Sequence, residues 1–79
     1  MKNKYIYKDE DITTDILFKI EHIANIIAEK ENKSFDEIYA NFLSSKTYIA
    51  LQNTNTLMWA ESAEFIVYEN YREMSQYII

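Results

Sequence analysis

The chain has 79 residues, a net charge of −5, and no Gly, Pro or Cys. The missing Cys excludes disulfides, thiolate metal sites and thiol nucleophiles; the missing Gly excludes a Gly-rich phosphate loop. The acidic balance counts against nucleic acid, whose binding draws mainly on Lys and Arg.

With 48% hydrophobic and 15% aromatic residues, the chain carries enough apolar side chain to fold as one small domain. Tight hairpins usually need Gly at positive φ, whereas Asn can end a helix in its place. The expected class is all-α: a compact bundle of three to four helices with a long C-terminal helix and an extended N-terminal arm. Met1 to Lys8 lacks the apolar core of a secretory leader. The apolar runs are broken by Lys19, Glu21 and Asn25, short of the ~18 residues a membrane span needs. The expectation is a cytoplasmic protein that engages no membrane.

Residues 1–12 form the arm. Its Lys4-Tyr5-Ile6-Tyr7-Lys8 stretch has strand-prone content, with no evident second strand to pair with. The first helix is predicted over 13–31, capped by Thr13 or Thr14. Ile16, Ile20, Ile23, Ala24 and Ile27 recur at three- and four-residue steps and make its apolar stripe. Asn32 is the expected left-handed terminator.

Ser34-Phe35-Asp36-Glu37 matches a capping box and opens a second helix over 35–43. Phe35, Ile38, Tyr39, Phe42 and Leu43 give it an amphipathic face. Ser45 then caps a third helix over 46–52; the other reading is one kinked helix from Phe35 to Leu51. Gln52-Asn53-Thr54-Asn55-Thr56 reads as a loop, because its side chains compete with the helix for backbone groups. Asn55 or Thr56 caps a last helix over 57–77. Its apolar face runs through Trp59, Ala63, Ile66, Val67, Tyr71, Met74 and Ile78, with Trp59 as the central core aromatic. If this helix lies antiparallel to the first, Tyr5, Ile6 and Tyr7 cover Tyr71, Met74 and Ile78. Otherwise that stripe is a contact surface.

Catalytic groups are sparse. His22 is the single histidine, and with Asn25 or Glu29 it supplies too few ligands for a metal. Ser44-Ser45-Lys46 lacks the spacing of a serine–lysine motif, and capping accounts for its hydroxyls. Glu61 with Glu64, and Glu69 with Glu73, are carboxylate pairs of a solvated helix face. The expectation is no enzyme, no cofactor, no metal and no small-molecule ligand. A helix-turn-helix built on Lys46–Gln52 presents one Lys and no Arg to phosphates.

Ser45-x-Thr47-Tyr48-x-x-Leu51 followed by Thr56-x-x-Trp59-x-x-Ser62-x-x-Phe65-Ile66 resembles a pattern in small all-helical bacterial proteins of unknown function. Phe18-x-Ile20-Glu21 and Asp36-Glu37-x-Tyr39-x-x-Phe42 extend the likeness over about residues 16 to 70. Such proteins are often encoded beside toxin-like proteins with an ADP-ribosyltransferase-type fold. The resemblance implies an accessory or antitoxin-like protein and supplies no catalytic residues.

These readings converge on a non-enzymatic protein-binding module, an antitoxin-like or regulatory partner of a neighbouring gene product. Its expected contact residues are Glu64, Tyr68, Tyr71, Arg72, Met74 and Ile78. The alternative is a self-associating domain whose stripe serves a homodimer. An acidic last helix suits a basic partner.

Overall fold

The computed structural model describes residues 5–75 and consists of four α-helices behind a very short hairpin. In chain order the elements are β1 (Ile6–Tyr7), β2 (Glu10–Asp11), α1 (Thr13–Glu31), α2 (Phe35–Leu43), α3 (Lys46–Gln52), two 3-10 turns at Thr54–Thr56 and Met58–Ala60, and α4 (Ala63–Ser75). The arm is thus paired within itself. β1 and β2 run antiparallel, with Ile6 opposite Asp11 and Tyr7 opposite Glu10. The two-residue turn between them puts Lys8 at φ 49° and Asp9 at φ 70°, the double left-handed geometry usually given to Asn-Gly. Each non-Gly residue there costs roughly 1–2 kcal/mol. Lys8 recovers part of this by placing its ammonium 5.5 Å from the Tyr7 ring centre.

The hairpin is tied down on two sides. Tyr5 N–H donates to Thr13 Oγ1 at 2.8 Å, and Ile12 N–H donates to the Tyr5 carbonyl at 2.7 Å. Thr54 Oγ1 donates to the Ile6 carbonyl, and Gln52 Nε2 to the Tyr5 hydroxyl. Neither Thr13 nor Thr14 caps α1, which is a correction to the expected start. Ile12 occupies the cap position, its side chain buried, and Asp11 Oδ1 accepts the Thr13 N–H at 3.0 Å. The Thr13 hydroxyl is engaged with the arm instead.

α1 buries Ile16, Ile20, Ile23, Ala24 and Ile27, the stripe that its periodicity predicts. It ends at Asn32, which adopts φ 56° and ψ 46°. Asn32 N–H bonds to the Glu29 carbonyl and Lys33 N–H to the Ala28 carbonyl, a Schellman closure made without Gly. Ser34 caps α2 by accepting the Glu37 N–H at 3.2 Å. Ser45 caps α3 by accepting the Tyr48 N–H at 3.0 Å. The segment 35–52 is therefore two helices, broken at Ser44-Ser45.

α4 begins six residues later than expected. Thr56 Oγ1 lies 2.8 Å from the Ala50 carbonyl and accepts the Met58 N–H at 3.2 Å, and Leu57 sits at φ 61°. A bulky residue in the left-handed region stops a helix from propagating through it. The chain makes two 3-10 turns instead, and Ser62 caps α4 by accepting the Phe65 N–H at 3.1 Å. The expected continuation through residue 77 lies outside the described residues.

The largest fully buried side chains are Ile16, Ile23, Leu51 and Ile66, contributed by α1, α3 and α4. Trp59 is not among them. It sits half-buried on the second 3-10 turn, donating its Nε1 to the Thr54 carbonyl at 2.9 Å and meeting Tyr7 edge-on at 5.3 Å. It seals the seam between hairpin and bundle rather than the centre of the core.

Helix direction decides between the two arrangements that the sequence leaves open for the arm. Lys19 Nζ donates to the Glu61 carbonyl near the amino ends of α1 and α4, and the Tyr71 hydroxyl donates to Glu31 Oε2 near their carboxyl ends. The two helices run parallel. The hairpin thereby packs against α3 and Trp59, and Tyr71 and Met74 finish at the opposite end of α1. No helix among the described residues is long and apolar enough to cross a membrane.

Candidate partner-binding surface

The expected contact residues do not form one patch. Glu64 lines a shallow depression of about 500 Å³ between α1 and the start of α4, together with Asp15, Phe18, Lys19, His22 and Trp59. Tyr68 lies one turn further along the same side of α4 and is 61% exposed. Arg72 faces the α3 side, pairing with Glu69 at 3.3 Å, beside a small depression that also contains Lys46, Thr47 and Met58. Tyr71 and Met74 line a third, larger groove. Ile78 lies outside the described residues.

That third groove has a volume of about 660 Å³ and lies between the carboxyl end of α1, helix α2 and the last turns of α4. Ile27, Ile38 and Phe42 form its apolar floor and are themselves buried in the core. Tyr71 and Met74 supply one wall, with Met74 56% exposed on the lip. Met is an adaptable surface for apolar recognition, because its unbranched chain refits to different shapes.

Three polar features frame this groove. Tyr71 donates its hydroxyl to Glu31 Oε2 at 2.6 Å. Burial and this bond to an anion push the Tyr71 phenol up to about 12, so it stays a donor. Glu73 accepts the N–H groups of Lys46 and Thr47 at 2.9 Å each, and the Thr47 hydroxyl at 2.7 Å. Partial burial opposes its charge, but the three donors and the nearby Lys46 outweigh it and hold its carboxyl below the ordinary value. The third feature is Asn70, 7% exposed, on the buried face of α4 with Ile66 and Val67.

Asn70 and Glu73 are both absent from the expected contact set. A signal for Asn70 existed: it is a lone amide on a stripe otherwise built of Ala63, Ile66 and Val67. Glu73 carried none, since its bonding to α3 depends on how two distant helix ends meet.

Elsewhere the surface is chemically plain. Among the described residues no group of three or more His, Cys, Asp or Glu side chains comes together to hold a metal ion. His22 is exposed, and Ser45 is committed to its cap. Exposed apolar side chains are scattered: Leu17 and Phe18 on α1, Ile49 on α3, Phe65 and Tyr68 on α4. No protein-family model, no curated protein and no solved structure matches the chain.

Proposed function

We propose that this protein is a non-enzymatic protein-binding module, an antitoxin-like or regulatory partner of a neighbouring gene product, and that the far end of α4 carries the contact. The observation behind this reading is the groove of about 660 Å³ with an apolar floor and a half-exposed Met74 at its lip. Concave apolar surface of this kind is left open in a small protein chiefly where something binds. At that groove Glu31 is engaged by Tyr71, Glu73 by Thr47 and Ser45 by its helix cap, which favours binding over chemistry. The acidic net charge of −5 favours a partner with basic surface.

Co-expression with the product of the adjacent gene tests the proposal. The expected outcome is co-purification of the two chains and relief of any toxicity the neighbour exerts. Met74→Asp, an exposed substitution, is expected to abolish both while leaving the fold intact. A neighbour that neither associates nor is neutralised would sink the reading.

A further inference from the structure

We propose that the groove between α1, α2 and α4 binds an apolar peptide segment, uncharged or flanked by basic residues, one of whose backbone peptide groups pairs with the Asn70 side-chain amide. The inference rests on the partner-binding reading above and gives that partner a chemistry.

Asn70 is the key. It is 7% exposed and lines the groove, and its side-chain amide makes no hydrogen bond to any described residue. No fully enclosed side-chain polar atom among the described residues lacks a partner, so the Asn70 amide opens into the groove space. An amide offers an N–H donor and a carbonyl acceptor side by side, and the group that meets both is another amide. A peptide backbone supplies one at every residue. A ligand hydroxyl or carboxylate meets the pair less completely.

Shape and charge narrow the occupant. The volume of about 660 Å³ is in the range that holds a few side chains or a small ligand. The floor of Ile27, Ile38 and Phe42 rewards apolar side chains. The rim is acidic: Glu31 and Glu73 lie on it, and its lysine, Lys33, sits 3.9 Å from Glu37. Such a rim repels the carboxylate of a fatty acid or an acidic tail and complements Lys or Arg beside the apolar segment.

The full-length, isotope-labelled protein would be titrated with capped acetyl-Lys-Leu-Leu-Val-Lys-amide, with the same peptide carrying an ester in place of its Leu–Leu amide bond, and with laurate. The expected result is saturable shifting of the Asn70 side-chain NH₂ and the Met74 methyl resonances by the peptide. Affinity is expected to fall about 10-fold for the ester or for Asn70→Leu, the loss of one matched hydrogen-bonding group. Met74→Asp, on the exposed lip, should weaken binding without disturbing the fold. Equal or tighter peptide binding by folded Asn70→Leu overturns the amide pairing. Preference for laurate, shifts confined to other faces, or no shift at millimolar peptide overturns the site. If the co-expressed neighbour still binds both variants, the module reading stands and this groove assignment falls.

Discussion

The carboxylate of Glu73 accepts both the backbone N–H and the side-chain hydroxyl of Thr47, at 2.9 and 2.7 Å, across 26 residues of sequence. With the Lys46 N–H at 2.9 Å, α4 thus supplies an N-terminal cap to α3. Thr47 is buried, and α3 is only seven residues long. Such a short helix owes its existence to caps and packing rather than to propensity.

Glu73→Gln is therefore expected to cost about 1–2 kcal/mol at neutral pH, since it weakens charge-assisted bonds to three donors. Because the folded carboxyl is held below its ordinary value of 4.5, its contribution is present above that value and is lost as pH falls through the lower folded one. Urea denaturation of both proteins should give curves that differ at pH 7 and converge only as the pH falls through the lowered value of the folded carboxyl. An undiminished difference at low pH would show that Glu73 acts through packing alone.

Tyr71 has the opposite sign. Its folded phenol is pushed up to about 12 by burial and by the bond to Glu31. The stabilisation from that bond is complete below the unfolded value of 10 and is lost as pH rises through the folded one. Ultraviolet titration should therefore show a phenol, absent in Tyr71→Phe, that ionises well above the unfolded value of 10. Tyr48, also raised to about 12 by burial and by neighbouring Tyr5, should remain in both titrations.

Leu57 stands at φ 61° and is 44% exposed. Replacing it by Gly removes a steric penalty and little packing, so Leu57→Gly should be neutral or stabilising by about 1 kcal/mol. A thermal melt that drops by several degrees would mean that the Leu57 side chain holds the 3-10 turns together.

Trp59→Phe keeps a ring against Tyr7 and removes the Nε1 bond to the Thr54 carbonyl. The expected loss is about 1 kcal/mol, and Trp59→Ala should cost less than the ~3–5 kcal/mol typical of a fully buried aromatic. Chemical denaturation of both variants reads this directly. A core-sized loss on Trp59→Ala would place the indole deeper than its half-buried position.

Local features were legible in the sequence wherever neighbouring residues decide them. The spacing of Ile16, Ile20, Ile23 and Ile27 set α1, Ser34 and Ser45 announced their helices, and Asn32 announced a stop. Features set by distant contacts were not. Leu57 gives no hint in its own identity that it will turn left-handed, and Thr56, a plausible cap, is held by the Ala50 carbonyl. Lys8-Asp9 lacks the usual turn chemistry, so Glu10-Asp11 could not be recognised as a partner strand. The site was legible only in part: Tyr71 and Met74 meet at one groove, but Glu64 and Arg72 lie on other sides of the bundle. The amide that the groove contains, Asn70, looked like an interruption of an apolar stripe.

The shared direction of α1 and α4 has an electrical consequence. Peptide dipoles in a helix sum to roughly half a negative charge at its carboxyl end, and an antiparallel pair would largely cancel the two. Here both carboxyl ends finish beside the groove that contains Glu31, Met74 and Ser75. The carboxyl end of α1 therefore adds negative partial charge to a groove already rimmed by Glu31 and Glu73. A cationic ligand would be drawn to that end before any contact forms. Its association rate should fall steeply as salt shortens the reach of the field, to about 8 Å at physiological ionic strength.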